Sequence, residues 1–150
     1  MKTSVASTVV LIITLIIGCV ILPTYFNSLE ESRDDAVRMQ NAARNFIDLV
    51  IDNKNINERF IEDLNLELAA CSAPCSFKIY REVRVVAPTP DGYDVTWVAA
   101  EVKEGDILEQ GDFIIIEITQ DRLSIHQRIA SILSGGSFGL FKTRLSGMVR

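Results

Sequence analysis

The chain opens with an apolar run that passes directly into a helical pattern. Val5 to Leu22 contains no charge over 18 residues, and as a helix it would extend about 27 Å, close to the hydrocarbon thickness of a bilayer. From Thr24 to Ile51 the apolar residues recur at spacings of three and four without an intervening Gly or Pro, which is typical of an amphipathic helix. The pattern predicts a transmembrane segment at residues 1–23 and an amphipathic stalk helix at residues 24–54.

The predicted stalk helix follows a proline and carries one apolar stripe. Pro23 lacks a backbone donor within the helical pattern, so we expect a helix kink there. The stripe needs a surface to bury against, either the protein's own sheet or the stalks of neighbouring copies. We interpret it as an assembly stripe, formed by Phe26, Leu29, Ala36, Val37, Ala43, Ile47 and Val50.

Residues 55–150 change from helical to strand patterning. Asn55 followed by Glu58 has the spacing of a capping box and predicts a second helix, packed through Phe60, Ile61, Leu64 and Leu68. Alternating or dense apolar runs predict strands at 77–80 continuing through 83–86, then at 93–98, 113–118 and 140–145. The Asp91-Gly92 pair predicts the turn of a hairpin.

A short helix is predicted within RLSIHQRIASIL, where the apolar positions are Leu123, Ile125, Ile129 and Ile132. The predicted fold class is therefore α+β: a long N-terminal transmembrane-plus-amphipathic helix packed on a small, mostly antiparallel sheet. Residues 55–150 would form one extracytoplasmic domain.

The charges are unevenly distributed along the chain. All 20 acidic residues lie between Glu30 and Asp121, where only nine Lys or Arg occur, a balance of −11. From Arg122 to Arg150 there are five basic residues and no acidic one. An acidic body argues against nucleic acid as a partner, because binding the phosphate backbone needs clustered Lys and Arg. We expect the basic tail to pair with the acidic body or with a neighbouring copy.

The three cysteines have two different settings. Cys19 lies in the apolar run, whereas Cys71 and Cys75 flank the tight segment CSAPC. We expect a local disulfide between Cys71 and Cys75, which would place the domain outside the cytoplasm; free thiols are the alternative. A metal site is disfavoured, because His126 is the only histidine and no second ligand pair exists.

The apolar run has three possible fates. We favour a retained single-pass anchor with its amino terminus inside, in keeping with Lys2 on the short flank. Ile16-Ile17-Gly18-Cys19 also resembles a lipobox, so lipidation of Cys19 is an alternative, although the hydrophobic residues after it are unlike a flexible tether. A cleaved secretory signal is the third reading, and it lacks a convincing cleavage box.

Recognisable catalytic patterns are lacking, so we expect no enzyme activity and no cofactor. His126 has Ser124 and Asp121 beside it, all within about one helical turn, whereas triad members converge from separate elements. Asp106 and Asp112 in EGDILEQGD, with Asp91 and Asp94, lack the regular ligand spacing of a calcium loop. The segment Ser134–Gly139 is not a phosphate loop, because no GK[ST] follows. We expect Tyr93 and Trp97 to pack in the core.

The order of these parts resembles a known group. ILPTYFNSLEESRDDAVRMQNAARNFIDLV, QGDFIIIEI and the closing SGMV look like the pilin-like proteins of type IV filament systems, and more closely like the TadE-like minor pilins of tight-adherence systems. The resemblance covers most of the chain. It implies a structural or assembly role at the cell membrane or in a cell-surface filament, with membrane lipid and other pilin-like subunits or further copies as partners.

The chain departs from the pilin pattern at its start. No glycine precedes the apolar run, and no glutamate occurs before Glu30, so the resemblance does not extend to prepilin processing. The sequence is therefore compatible with two functions. The first is a subunit of a pilus-like filament, anchored or polymerised through its N-terminal helix. The second is an extracytoplasmic ligand- or partner-binding module, tethered by one helix or by lipid on Cys19.

Overall fold

A computed structural model describes residues 5–90, 92–102 and 104–150. The helices are α1 (Val5–Ile16), a π-helical segment (Ile17–Ile21), α2 (Leu22–Asn53), α3 (Glu58–Ala69) and α4 (Ile125–Ser134). The strands are β1 (Cys75–Thr89), β2 (Gly92–Glu101), β3 (Phe113–Gln120) and β4 (Lys142–Met148). This is the predicted α+β architecture, a long apolar N-terminal helix with a four-stranded antiparallel sheet. Lys2 and Asp91 lie outside the described residues.

The N-terminal helix is continuous over 49 residues, from Val5 to Asn53. Pro23 is at the second position of α2, and the π-helical segment directly precedes it. In that segment the backbone N–H of Leu22 donates to the carbonyl of Ile17, a five-residue span. A proline leaves the carbonyl four residues before it without a donor, and a π-helical turn is a known way to accommodate such a break. Lys54 then ends the helix in the left-handed region, at a φ of 54°.

The sheet has the order β2-β1-β3-β4, with every neighbouring pair antiparallel. β3 is the central apolar strand, as its composition predicts. Its Ile114, Ile116 and Ile118 are fully buried on the face that packs against α2. The α2 side of this core is formed by Met39, Ala42, Ala43, Phe46, Ile47 and Val50. α3 closes it with Leu64 and Leu68.

Two contacts fix the direction of the sheet along α2. The Asp35 carboxylate accepts hydrogen bonds from the backbone N–H and the hydroxyl of Ser72, three residues before β1 begins. At the opposite end, Gly147 of β4 lies against the side chains of Ile47 and Ile51. β1 therefore starts at the end of the sheet nearer the N-terminal apolar segment, residues 5–22, and runs away from that segment.

The second half of β1 extends beyond β3. Residues 75–82 pair with β3, whereas residues 83–89 pair with β2 alone. The result is a two-stranded arm that projects away from the apolar segment, and all ten residues of β2 are exposed. The prediction that Tyr93 and Trp97 pack in the core is wrong, because both side chains lie exposed on this arm. Among the described residues no other helix or strand covers the arm, and apart from the contact of Trp97 with Phe113 neither of its faces is packed.

The predicted cap of the second helix is displaced by two residues. Asn57, not Asn55, caps α3, and its side chain accepts a hydrogen bond from the backbone N–H of Arg59 at 3.2 Å. Asn55 instead forms a β-bridge with Ile107, which ties the end of α2 to the loop before β3. Glu58 is the first residue of the helix, where its charge favours the positive end of the helix dipole.

Candidate functional surfaces

The apolar segment is the most extensive exposed hydrophobic surface in the chain as described. No residue of α1 is buried, and the segment is long and apolar enough to cross a membrane. Tyr25 and Phe26 follow it at once, with their rings in edge-to-face contact at 5.8 Å between centroids. Aromatic side chains at this position are typical of the boundary between lipid and water.

The predicted assembly stripe is divided between the protein's own core and its surface. Ala43, Ile47 and Val50 are buried against the sheet and α3, while Leu29 and Ala36 are partly buried. Phe26 and Val37 remain exposed, at 61 % and 46 %. The C-terminal half of the stripe is therefore buried by the protein's own sheet, the first of the two surfaces expected to cover it.

The segment CSAPC contains thiols in contact but no disulfide. Cys19, Cys71 and Cys75 are all free in the structure, so the predicted bond between Cys71 and Cys75 is not present. The Cys75 thiol donates to the carbonyl of Ala73 at 3.4 Å, and the thiol of Cys71 lies beside it. Burial, reinforced by the Asp35 carboxylate, raises the pKa of Cys71. Burial and the adjacent Cys71 raise the pKa of Cys75 to about 12. Such thiols are protonated and weakly nucleophilic at neutral pH.

Asp35 is the residue that holds this segment to α2, and sequence reasoning missed its role. It is 5 % exposed, yet its carboxylate is hydrogen-bonded twice by Ser72. Arg38, one turn later, donates to the carbonyl of Ala70 at 3.4 Å. An acidic residue in line with the apolar positions Met39 and Ala42 of the helix was the available signal, because a buried charged group requires a partner.

Ser124, Asp121 and Asp112, three of the polar side chains with a possible catalytic or metal-binding role, form structural contacts. The Ser124 hydroxyl accepts from the backbone N–H of Gln127, and Asp121 accepts from the Ser76 hydroxyl at 2.6 Å, so they do not form a triad with His126. Asp112 forms an ion pair with Arg81 at 2.6 Å and accepts from the N–H of Glu109. Within the described ranges, no three His, Cys, Asp or Glu side chains are grouped to hold a metal ion.

The outer face of the sheet, opposite α2, has a shallow cavity of about 580 Å³. It is lined by Glu82, Trp97, Phe113, Ile115, Arg144, Leu145 and Ser146. The rings of Trp97 and Phe113 meet edge to face at 5.2 Å, which gives the cavity an aromatic wall. Glu82 and Arg144 supply opposite charges at its rim. The aromatic and charged lining could accommodate part of a partner molecule.

α4 exposes the side that its sequence predicts to be buried. Ile125 and Ile132 are 69 % and 79 % exposed, whereas Gln127 and Ala130 on the opposite side are fully buried. The helix begins with a capping box between Ser124 and Gln127.

Comparison with protein-family models, with curated proteins and with solved structures gives no match for this chain.

Proposed function

We propose that this chain is a non-enzymatic structural or assembly subunit of a pilin-like cell-surface filament, anchored in the membrane by its N-terminal helix. One observation carries the proposal. A single helix of 49 residues is exposed and apolar in its first part, and its second part packs against a small antiparallel sheet to form the hydrophobic core. No linker separates the two parts, so the sheet domain is rigidly connected to the anchor. The domain lies outside the cytoplasm in this proposal.

Contacts between neighbouring subunits would use the part of the helix that the sheet does not cover. This part comprises the apolar segment and, beyond Pro23, the exposed Phe26 and Val37. These two residues are eleven positions apart, about three turns, and therefore lie on the same face of the helix. In the membrane, close packing of such helices through van der Waals contacts and small side chains would hold the subunits together.

Charged substitutions on the exposed face test the proposal. The double variant Phe26→Asp/Val37→Asp should abolish polymer in the material sheared from cells, while the sheet domain stays folded. Leu66→Asp is the matched control, because Leu66 is 71 % exposed on α3 and is not part of the proposed contact. Polymer that survives the double variant would show that subunits do not pack through this face. Ala43→Asp is unsuitable, since Ala43 is fully buried in the subunit's own core.

A second function is favoured by the uncovered cavity beside Trp97 and Phe113. In this alternative the chain is a ligand- or partner-binding module, tethered by its helix or by lipid on Cys19, which is exposed in the π-helical segment. The intact mass of the protein from membranes separates the two tethers. A diacylglycerol adduct together with loss of residues 1–18 would establish lipidation, and an unmodified full-length mass would exclude it.

A further inference from the structure

The orientation of α4 is fixed by polar contacts, although these leave its apolar stripe in solvent. Ile125, Ile129 and Ile132 are spaced by four and three residues and form one stripe, in which Ile125 and Ile132 are exposed and Ile129 is half-buried. Gln127 and Ala130 form the opposite, fully buried face. An isolated amphipathic helix on a protein surface normally has the reverse arrangement. Ile125 and Ile132 are therefore left uncovered by the described chain.

A buried amide pair explains why the helix does not rotate. The side chains of Gln120 and Gln127 exchange two hydrogen bonds, at 3.0 and 3.2 Å. The Gln127 carbonyl also accepts from the backbone N–H of Ser124 at 2.8 Å, and the Gln120 carbonyl accepts from the N–H of Phe141 at 3.1 Å. A rotation of the helix that buried the isoleucines would expose these amide groups or leave them buried without hydrogen-bond partners, and each unpaired group carries a substantial free-energy cost. The apolar stripe is consequently held outward.

α4 lies at the end of the sheet from which the apolar segment extends. Gln120 pairs with Cys75, close to Ser72 and hence to Asp35, and α4 begins five residues after Gln120. α4 packs on α2. Ser28 and Ser32 of α2 are buried one to two turns nearer the apolar segment than Asp35, beyond the start of the sheet. We assign their burial to α4.

The distance from the apolar segment matches the thickness of the headgroup layer. Ser28 is six residues, about 9 Å, past Leu22. A headgroup layer is about 5–8 Å thick on each side of the hydrocarbon, and a helix with its side chains has a radius of about 5–6 Å. The isoleucine stripe of α4 can therefore reach the boundary between headgroups and acyl chains.

We propose that α4 is an interfacial helix, whose Ile125–Ile129–Ile132 stripe lies in the surface of the membrane that the chain's own N-terminal helix spans. The inference rests on the membrane anchor of the proposed function, but not on filament assembly. The exposed stripe would be continuous with the exposed apolar segment, so a single lipid surface covers both. A helix of this kind would hold the sheet domain at a fixed tilt relative to the membrane.

The charges near α4 permit this position but do not drive it. Arg122 and Arg128 are exposed and have no ion-pair partner among the described residues, so both can reach lipid phosphates. Glu30, Glu31 and Asp34 are exposed on the neighbouring part of α2 and offset that attraction. Burial of the isoleucine side chains must therefore supply most of the interaction.

Fluorescence quenching by lipid tests the position of α4. The full chain would be reconstituted in nanodiscs whose lipids carry bromine near the headgroup end of the acyl chain. Ile132→Trp in a Trp97→Phe background should lose about half of its emission or more, because an interfacial helix buries its apolar face about 5–10 Å into this boundary. Leu66→Trp in the same background is the matched control. Leu66 is 71 % exposed on α3, against 79 % for Ile132, but it lies near Asn45, whose side chain donates to Glu67. Asn45 is about 35 Å beyond Leu22 along the helix.

Each outcome of the quenching experiment has one meaning. Quenching of Ile132→Trp but not of Leu66→Trp is the expected result. An unquenched, solvent-exposed Ile132→Trp would overturn the proposal, and an unquenched but blue-shifted emission would do so too, by showing that protein covers the stripe. Val20→Trp, in the apolar segment, separates this failure from failure of the anchor. Val20 is 57 % exposed and lies about 3 Å inside Leu22, so it is at the depth of the bromines in any membrane-spanning chain. Equal quenching of Leu66→Trp would contradict the upright placement of the domain.

Discussion

Replacing Gly147 by alanine should destabilise the sheet domain by separating β4 from α2. A Cβ atom at this position would be 2.5 Å from Cδ1 of Ile51 and 2.6 Å from Cγ2 of Ile47, whereas carbon atoms in contact are about 3.5–4.0 Å apart. The two isoleucines or the strand must therefore move by about 1 Å. Overpacking of this kind costs about 1–3 kcal/mol, and the smaller backbone entropy of alanine in the unfolded chain returns about 0.4–1 kcal/mol. We expect a net loss of about 1–2 kcal/mol.

The loss can be measured by thermal unfolding in detergent, followed by tryptophan emission. Trp97 is the only tryptophan and packs against Phe113, so it reports the sheet and not the apolar helix. A loss of this size lowers the Tm by about 4–16 °C in a domain of this length, since each 1 kcal/mol shifts it by about 4–8 °C. Gly139→Ala is the control, because a Cβ atom there meets nothing within 4 Å. A Gly147→Ala protein as stable as its parent would refute the close packing of β4 on α2. The proposal that one helix both anchors the chain and packs against the sheet depends on that packing.

Three further changes test other parts of the structure. Gln127→Leu should cost about 1–3 kcal/mol in chemical denaturation, because it leaves the buried Nε2 of Gln120 without its acceptor. The double variant Gln120→Leu/Gln127→Leu should cost less than the sum of the two single ones, and additive costs would argue against the amide pair. Ser72→Ala should cost about 1–3 kcal/mol by the same measurement, since the buried Asp35 loses a donor, and an unchanged midpoint would argue against that contact. Cys75 should resist alkylation at pH 8 in the folded protein, with the rate of alkylation rising towards pH 12. Because the folded-state pKa is raised, the contribution of the Cys75 thiol to stability is complete below about pH 9 and is lost as the pH rises towards 12. Rapid labelling of Cys75 at pH 8, detected by mass spectrometry, would contradict its burial.

Periodicity predicted the parts of the fold that depend on local pattern. The continuation of the helix through Pro23 follows from apolar spacing on both sides of it, and β3 from the density of isoleucine between Phe113 and Ile118. These elements agree with the structure because the same residues that set the local pattern also form the core. The α+β class follows from them.

The surfaces could not be predicted, because they depend on which faces other elements cover. Tyr93 and Trp97 belong to a strand pattern that is correct, but the pattern does not reveal that β3 is too short to flank the arm. α4 is a helix as predicted, but its buried side is chosen by Gln120, which is distant from its isoleucines and belongs to another element. The disulfide expected from the spacing of Cys71 and Cys75 is likewise absent from the structure, where both thiols are free.

The proposed role as a filament subunit is tested most directly by photo-crosslinking from Val37 in intact cells. Val37 is exposed on the side of α2 opposite the core, so a photoreactive amino acid there contacts only what lies outside the subunit. If subunits pack through this face, irradiation should join copies of the chain to one another, and the double variant Phe26→Asp with a photoreactive residue at position 37 should form fewer adducts. A chain that remains monomeric after irradiation, while staying in the membrane fraction with an intact domain, would contradict the filament and favour the tethered binding module.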